Sequence, residues 1–201
     1  SGIRVSAVIE TDFPAGAAVR ITVRSEVPER FPIRVRVPAW SGETALTVDG
    51  TRIDAVPGSY AVIEREWREG TLDLRLDLRA RLVRSAKDDR VAVVRGPVVF
   101  ARDENMDSNF DRPVRLREEA GFLDAAMEKP FYDAVWQQLR VAGENGDFIR
   151  MVDWASADNW NGRRVCTWMP LGEPQEVGPT RAMNCQWVFN PETKGKPCCI
   201  Q

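Results

Sequence analysis

The sequence predicts an all-β protein, built as an antiparallel β-sandwich or jelly roll. In the stretch GTLDLRLDLR, which begins at Gly70, leucines alternate with Asp and Arg, a period of two that is typical of a strand with one face in water. Up to about residue 104, similar short runs are separated by turn residues roughly every 8–12 positions, which gives about eight strands. This spacing is typical of sandwiches and jelly rolls.

The first strands follow the same rule of alternation. Residues 19–23 and 33–37 alternate β-branched residues with Arg or Thr, and each run predicts an amphipathic strand. Asp49-Gly50 lies between the short apolar runs of LTVDGTRI. Because both residues tolerate positive φ angles, this pair predicts a tight hairpin.

Further turns and strands are predicted up to Phe100. Pro57-Gly58 and Glu69-Gly70 indicate two turns, with a strand between them that passes through Ile63. The apolar runs 91–94 and 98–100 flank Gly96-Pro97. Their density predicts central strands that are buried on both faces.

The pattern changes after Asn105. Phe122, Leu123, Ala126 and Met127 have helix-like spacing up to Pro130, which predicts a short helix or an irregular excursion. Strand character returns in three later runs, which either complete the first sandwich or build a second, smaller one. These runs are residues 138–141, 148–154 and 163–171.

The domain division follows from these changes in pattern. We predict a jelly-roll-like β-sandwich domain over residues 1–104 and a second β region with a short helical excursion over 105–171, completing or packing on the first. Residues 172–201 are rich in Pro, Gly and Asn, and they predict a C-terminal arm that lies over a surface or is partly disordered. Trp40 and Trp67, at strand ends, are interpreted as core residues.

We assign no catalytic residue in this sequence, and a self-sufficient hydrolase that uses Glu64 or Glu66 is the least favoured alternative. The absence of histidine excludes Ser-His and Cys-His nucleophile pairs and most mixed zinc sites. Hydrolysis of a glycosidic bond needs two opposed carboxyl groups, one of them with a raised pKa. The adjacent acidic pairs are interpreted instead as solvated faces; they are Glu64 with Glu66, Asp88 with Asp89, and Glu118 with Glu119.

The four cysteines do not have the spacing of a metal site. Zinc ribbons need two C-x₂₋₄-C pairs, whereas Cys166, Cys185, Cys198 and Cys199 include only an adjacent pair near the end. Cys166 lies in an apolar run and is interpreted as a buried structural thiol. A disulfide between Cys185 and one of the adjacent pair stays open. No metal site and no cofactor are predicted in this chain.

The stretch VDWASADNWNG offers the one candidate binding site. Its aromatic and hydrogen-bonding side chains suit a hydroxyl-rich ligand, because sugar rings stack on aromatic faces. The alternative is that both tryptophans pack in a domain interface. The candidate carbohydrate-binding residues are Asp153, Trp154, Asp158, Asn159 and Trp160.

Charge and hydropathy exclude two classes of partner. The formal net charge is -2 and like charges do not cluster, so we predict no binding to nucleic acid. No apolar run approaches the roughly 20 residues of a membrane span, so we expect a soluble protein without membrane contact. The chain begins Ser1-Gly2-Ile3, with strand character almost at once, and we interpret it as part of a longer polypeptide.

Several stretches, taken in order, resemble glycoside hydrolase family 127, the β-L-arabinofuranosidase-like family, in the region after its catalytic barrel. They are ETDFPAGAAVRITV, FPIRVRVPAW, LTVDGTRI, PGSYAVIEREWREGTLDLRLDL and DDRVAVVRGPVVFARD. The later stretch IRMVDWASADNWNGRRVCTWMPL is similar to the closing strands of that family. The resemblance covers residues 3–104 well and 147–171 moderately.

The resemblance implies a non-catalytic accessory β-sandwich that stabilises and packs against an (α/α)₆ barrel. The family's catalytic glutamate and its zinc-bound cysteine lie in that barrel, so the resemblance assigns no catalytic or zinc-binding residue to this chain. Cys198-Cys199 is similar to vicinal cysteines of the family, but those precede the β region whereas this pair follows it. The alternative function is a carbohydrate-binding module built on the Trp/Asp/Asn loop.

The resemblance also implies partners and a source. The expected partner is the catalytic barrel, and the further candidates are a plant-type oligosaccharide and a second copy in a homodimer. Members of this family act on plant-type glycans, and this implies a bacterial source for the present chain. The compartment stays open between cytoplasm and periplasm, because four cysteines are compatible with both.

Overall fold

A computed structural model of the chain describes residues 2–107, 110–111, 113, 115–158 and 164–170. The described residues form antiparallel strands and contain no α-helix; Trp154–Ser156 form a short 3-10 helix. The predicted all-β antiparallel fold is confirmed. The predicted arm 172–201 and three of the cysteines, Cys185, Cys198 and Cys199, lie outside the described residues.

The first sheet is built from strands β1 to β5. Their bounds are Val5–Thr11 (β1), Ala18–Arg36 (β2), Ala45–Val48 (β3), Thr51–Ile53 (β4) and Tyr60–Arg75 (β5). The strands are antiparallel and lie in the order β1-β2-β5-β3-β4. β1 and β4 are therefore the edges of this sheet.

The long strands β2 and β5 bend this sheet around a single core. They pair from Ala18 opposite Arg75 to Arg36 opposite Tyr60, with a shift of register between Arg24 and Glu29. Side chains from both halves of the pair enter the same buried cluster, so the sheet must curl over itself. The cluster contains Val23, Val35, Val37, Leu46, Val48, Ala61, Ile63, Trp67, Leu72, Leu74 and Leu76.

Trp67 lies at the centre of this cluster. Its side chain is fully buried, and its indole Nε1 donates a hydrogen bond of 2.9 Å to the Phe31 carbonyl oxygen. The polar edge of the ring is thus satisfied while the rest of the ring fills the core. Trp40 is half-buried and packs against the same cluster, with its ring stacked on Phe13 at 6.4 Å between centroids. Both tryptophans are core residues, as the sequence predicted.

The second sheet has its own core. Its strands are Ala80–Arg84 (β6), Arg90–Arg95 (β7), Val98–Asp103 (β8), Ala125–Glu128 (β11), Gln138–Ala142 (β12), Phe148–Asp153 (β13), Val165–Cys166 (β14) and Met169–Pro170 (β15). Two further strands, Glu118–Glu119 (β9) and Phe122–Leu123 (β10), pair with each other in a separate hairpin. The order is β11-β12-β13-β8-β7-β15, with β14 on β8 and β6 on β7. A second cluster that includes Phe100, Leu139 and Met151 packs against it.

The two sheets separate near residue 78. The first core ends at Leu76 and the second begins at Ala80. A boundary at residue 104 would divide the second sheet after β8, which pairs with the later strand β13. The division into domains 1–104 and 105–171 stays a prediction.

The main patterns of alternation and turns are confirmed. Leu72, Leu74, Leu76 and Leu78 are all buried, as the period of two predicted. Asp49 and Gly50 have φ angles of 47° and 82° and join β3 to β4 in a two-residue hairpin. The predicted strands β7 and β8 also form, and residues 91–94 are buried throughout. The predicted burial of 98–100 on both faces is wrong at Val99, which is 37% exposed.

The predicted turn at Glu69-Gly70 is wrong, because β5 continues through both residues. Glu69 pairs with Arg24 and Gly70 with Val23. A Cβ atom on Gly70 would collide with the Arg65 guanidinium and with the Trp67 ring. The glycine is therefore needed for close packing inside a strand rather than for a reversal of the chain.

The predicted short helix before Pro130 is also wrong. Ala120 and Gly121 have φ angles of 49° and 82°, which is the pattern of a type I′ turn, and they join β9 to β10. Met127 then pairs with Leu139 in β11 and β12. The helix-like spacing of apolar residues in this segment arises from a hairpin followed by an edge strand. Over so few residues, the sequence does not distinguish a helical period from a strand period.

Candidate functional site

The loop predicted to bind carbohydrate is organised around Asp153. Its side chain is buried, and Oδ2 accepts hydrogen bonds from the Gln137 backbone N–H at 2.9 Å and from the Ser156 hydroxyl at 2.7 Å. Oδ1 accepts from the Ser156 backbone N–H at 3.1 Å, which caps the 3-10 helix. The carboxylate thus connects β13 to the segment before β12, and its oxygens are occupied by protein donors.

Of the other predicted binding residues, Trp154 and Asp158 are exposed. Asp158 has a φ of 58°, and its backbone N–H donates to the buried Asp103 carboxylate at 3.1 Å. Asn159 and Trp160 lie outside the described residues. The loop therefore presents one aromatic ring and one carboxylate to solvent among the described candidates, and their role as ligands stays a prediction.

The structure adds three exposed aromatic residues to Trp154. We call the set Phe131, Tyr132, Trp136 and Trp154 the aromatic surface, and its members are between 49% and 59% exposed. Trp136 lies next to the Asp153 cap, because its backbone N–H donates to the Ser156 hydroxyl at 2.9 Å. The Arg150 guanidinium lies 4.9 Å from the Phe131 ring centroid, which holds this ring by a cation–π contact.

Sequence reasoning missed most of the aromatic surface. The signal was the stretch KPFYDAVW, in which three large aromatic residues follow a proline without strand or helix periodicity. Such residues cannot all enter a core from one loop, so some must face outward. The hydrogen bond that joins the Trp136 backbone to Ser156, two residues after Trp154, has no sequence signature.

None of the candidate acid pairs forms a hydrolytic site. Glu64 lies on an exposed face, 3.2 Å from the Arg30 guanidinium, and Glu118 lies 3.5 Å from Arg84. A hydrogen bond from the Ser85 side chain, with Arg90 nearby, lowers the pKa of Asp88. A general acid for glycoside hydrolysis needs the opposite shift. These pairs are exposed faces, as the sequence indicated.

The described residues do not fit the zinc that the family implies for its barrel. They contain one thiol, that of Cys166, and no group of three or more potential ligands lies together among them. Burial raises the pKa of Cys166, and its Sγ donates to the Trp168 carbonyl oxygen at 3.3 Å. A half-buried thiol that is held in its neutral form is a poor zinc ligand. We therefore derive no chemistry through zinc in this chain.

The junction of the two sheets carries an ionic cluster that the alternation did not predict. Asp77 was expected on the wet face, but its side chain is 4% exposed. Its carboxylate accepts from Arg79 Nε at 2.9 Å and Nη2 at 2.7 Å, and Arg79 also lies 2.8 Å from Glu43. The backbone N–H of Asp77 donates to the Ser41 hydroxyl at 2.8 Å. This cluster ties the linker after β5 to the loop before β3.

A second set of contacts crosses directly from one sheet to the other. Arg95, at the end of β7, donates through Nη1 to the carbonyl oxygens of Pro14 and Ala15, at 3.2 Å each. Gly96 lies against Leu78 and Trp40. The β7–β8 turn therefore packs against the first sheet. These contacts and the Asp77 cluster fix the junction between the two sheets.

Comparison with known proteins agrees with this geometry. Residues 2–78 match the family model described as beta-L-arabinofuranosidase, GH127 middle domain. This stretch is of the GH127 middle-domain type. The match ends at residue 78, two residues after the last member of the first core, Leu76, so the GH127-type unit is the curled first sheet. The resemblance read from the ordered stretches is confirmed over residues 2–78.

Two solved structures share the fold over most of this chain. One is a protein titled glycoside hydrolase, with a TM-score of 0.68, 22% identity, and coverage of 84% of this chain and 32% of its own. The other is a GH127 beta-L-arabinofuranosidase from Geobacillus stearothermophilus T6, with a TM-score of 0.69, 19% identity, and coverage of 85% and 31%. This chain thus spans about a third of their length. No curated protein matches the sequence.

One further property concerns membranes. The described residues contain no helix that is long and apolar enough to cross a bilayer.

Proposed function

We propose that this chain acts as the accessory β region of a larger β-L-arabinofuranosidase-like hydrolase, whose catalytic barrel supplies the bond-breaking groups. The observation that carries the proposal is the GH127 middle-domain match over residues 2–78. The structural relatives are about three times as long, which leaves room for a separate catalytic part. The exposed, ion-paired state of the candidate acids supports a non-catalytic role for the described residues.

The contact with the barrel is proposed to lie on the aromatic surface. Large aromatic side chains are enriched at the centres of protein interfaces, where they exclude water. Trp136 and Trp154 are each more than half exposed, and both are positioned by the buried Asp153 and Ser156 cap. Because the backbone beneath them is fixed, docking would cause little further loss of conformational entropy.

Activity of the chain alone tests the non-catalytic role. The purified chain is incubated with nitrophenyl β-L-arabinofuranoside, and we expect no release of nitrophenol. Glu64→Gln, which removes one exposed acid, should be equally silent. Turnover by the native chain that Glu64→Gln abolishes would overturn the proposal. The binding-module alternative is tested by titration with arabinofuranosyl oligosaccharides, with Trp154→Ala as the control. Saturable binding by the native chain that is lost in Trp154→Ala would support that alternative.

Thermal melting tests the docking surface. Trp136→Ala and Trp154→Ala should leave the melting temperature of this chain almost unchanged, because both side chains are exposed here. In a longer protein that carries the catalytic barrel, the same variants should lower the melting temperature by several degrees. Tyr60→Ala, an equally exposed aromatic on the first sheet, is the matched control and should have no effect in either form. If all three variants change the melting temperature of the longer protein equally, the aromatic surface is not the contact with the barrel.

A further inference from the structure

Two arginines face each other on the outer side of the second sheet. Arg140 in β12 and Arg150 in β13 are direct cross-strand partners. They lie on the face opposite the second core, because their chain neighbours Leu139 and Met151 are the residues that enter it. Like charges directly opposite each other destabilise a sheet. The fold therefore places two positive charges together at a position where their repulsion does not help to hold the strands.

One carboxylate serves both guanidinium groups. Glu128 Oε2 lies 3.0 Å from Arg150 Nε, whereas Glu128 Oε1 lies 3.9 Å from Arg140 Nε. No other carboxylate of the described residues forms an ion pair with either arginine. The Arg140 side chain is 45% exposed, and it donates no hydrogen bond to an acceptor within the described ranges. In this part of the chain, one positive charge of the pair is thus uncompensated.

Aromatic rings hold both guanidinium groups in place. The guanidinium carbons of Arg140 and Arg150 lie 4.5 Å and 4.7 Å from the centroid of one ring, that of Phe148. The Arg150 guanidinium also lies 4.9 Å from the Phe131 ring centroid. These cation–π contacts limit the motion of both side chains and leave N–H groups for oxygen acceptors. Because the pair is already ordered, binding of an anion would cost little conformational entropy.

The surroundings of the two arginines suit a ligand that carries both a carboxylate and a ring. The other cross-strand partner of Arg140 is Ala126 in β11, which is exposed and adds only a methyl group beside the guanidinium. Phe131, in contact with Arg150, is 58% exposed. Arginine binds carboxylates through paired N–H···O bonds, and an exposed aromatic ring offers an apolar surface to the face of a sugar. Both requirements are met by an acidic sugar.

We propose that Arg140, Arg150 and Phe131 bind an acidic oligosaccharide, with a uronic acid carboxylate on the two guanidinium groups and a sugar ring against Phe131. The choice of a glycan over an acidic peptide rests on the proposed function, because a carbohydrate hydrolase encounters glycans. The site does not use Trp136 or Trp154, on which the proposed barrel contact depends. Failure to bind would leave the accessory role intact, and hydrolysis by the chain alone would refute that role without affecting this site.

Calorimetric titration of the native chain with tri-galacturonate tests the site. We expect saturable binding that weakens as the salt concentration rises, because partly exposed charges are screened. The neutral trisaccharide of galactose should not bind. Arg140→Gln should raise the dissociation constant about tenfold or more. The matched control is Arg36→Gln, which removes an exposed arginine that lies over the Tyr60 ring on the first sheet, and it should bind as the native chain does. Equal binding of the acidic and neutral sugars would overturn the proposal.

A substitution at Ala126 tests the site without removing an arginine. Ala126→Glu places a carboxylate directly opposite Arg140, where it should pair with the guanidinium and compete with the ligand. We expect this variant to lose binding, whereas Ala126→Gln, of equal size and without charge, should retain it. If both variants bind tri-galacturonate equally, the carboxylate site is wrong. An oligo-aspartate peptide that binds the native chain more tightly than tri-galacturonate would assign the arginine pair to a protein partner and refute the glycan.

Discussion

The junction residue Asp77 provides a test of how burial sets the strength of an ion pair. Its carboxylate accepts two hydrogen bonds from the Arg79 guanidinium and one from the Arg79 backbone N–H at 3.1 Å. Asp77→Asn keeps the shape but removes the charge and one acceptor. A buried hydrogen bond to a charged group contributes about 1.5–3 kcal/mol. Because Arg79 is partly exposed and keeps its contact with Glu43, we expect a loss of about 2 kcal/mol.

The assay is urea unfolding followed by tryptophan fluorescence at pH 7. A loss of about 2 kcal/mol corresponds to a midpoint lower by about 1 M urea for an m-value near 2 kcal/mol/M. The matched control is Asp73→Asn. Asp73 pairs with Arg20 at 2.7 Å, yet both side chains are about half exposed, so this pair should contribute under about 1 kcal/mol. If the two variants unfold at the same midpoint, burial at the junction is not the source of stability.

The pH dependence of this pair has a definite sign. Hydrogen bonds from Arg79 lower the pKa of Asp77 in the folded state. Its stabilisation is therefore fully present above the unfolded pKa of about 3.9 and is lost as the pH falls through the lower folded pKa. The difference in stability between the native chain and Asp77→Asn should stay constant from about pH 7 to 5 and narrow below pH 4. A difference that instead grows on acidification would contradict the assignment.

Three further substitutions, one of them with a matched control, test other parts of the fold. Leu76→Asp places a charge in the first core and should unfold the first sheet in circular dichroism and melting; a variant that stays folded would show that Leu76 is not part of that core. Gly96 has a φ of 56° and lies against Leu78, so Gly96→Ala should lower the melting temperature by several degrees. Gly50→Ala is the control: Gly50 also has a positive φ but no side chain nearby, so this variant should lower the melting temperature by less. Asp153→Ala removes the cap and should cost about 1–2 kcal/mol in urea unfolding, and an unchanged midpoint would show that the cap is not structural.

The sequence predicted the features of this fold that depend on local pattern. The alternating leucines from Leu72 to Leu78 specify a buried face because successive residues of a strand point to opposite sides. Asp49-Gly50 specifies a hairpin because both residues tolerate positive φ angles. These signals act within a few residues and can be read without a structure.

The failures involve contacts between distant residues. Gly70 resembles a turn in the sequence, but its function is to admit the Arg65 and Trp67 side chains beside β5. Asp77 continues an alternating pattern, yet Arg79 and Ser41 hold it inside the junction. Neither arrangement can be read from neighbouring residues, because each depends on how the sheet curls. For the same reason the sequence could suggest Trp154 but could not show that the Trp136 backbone is bonded to the neighbouring Ser156.

The pairing of β2 with β5 has a consequence for the order in which the protein folds. Ala18 meets Arg75 across almost the whole GH127-type unit, and β3 and β4 lie in the segment between them. The pair can close from its inner end, where Arg36 meets Tyr60, but its outer contacts form only once the residues up to Arg75 are available. On the ribosome, this unit therefore has to wait until Leu72, Leu74 and Leu76 have emerged. In any shorter nascent chain, β2 has β1 as a partner along residues 19–25 but lacks β5 on its other side, and that interval is when it most needs protection by chaperones.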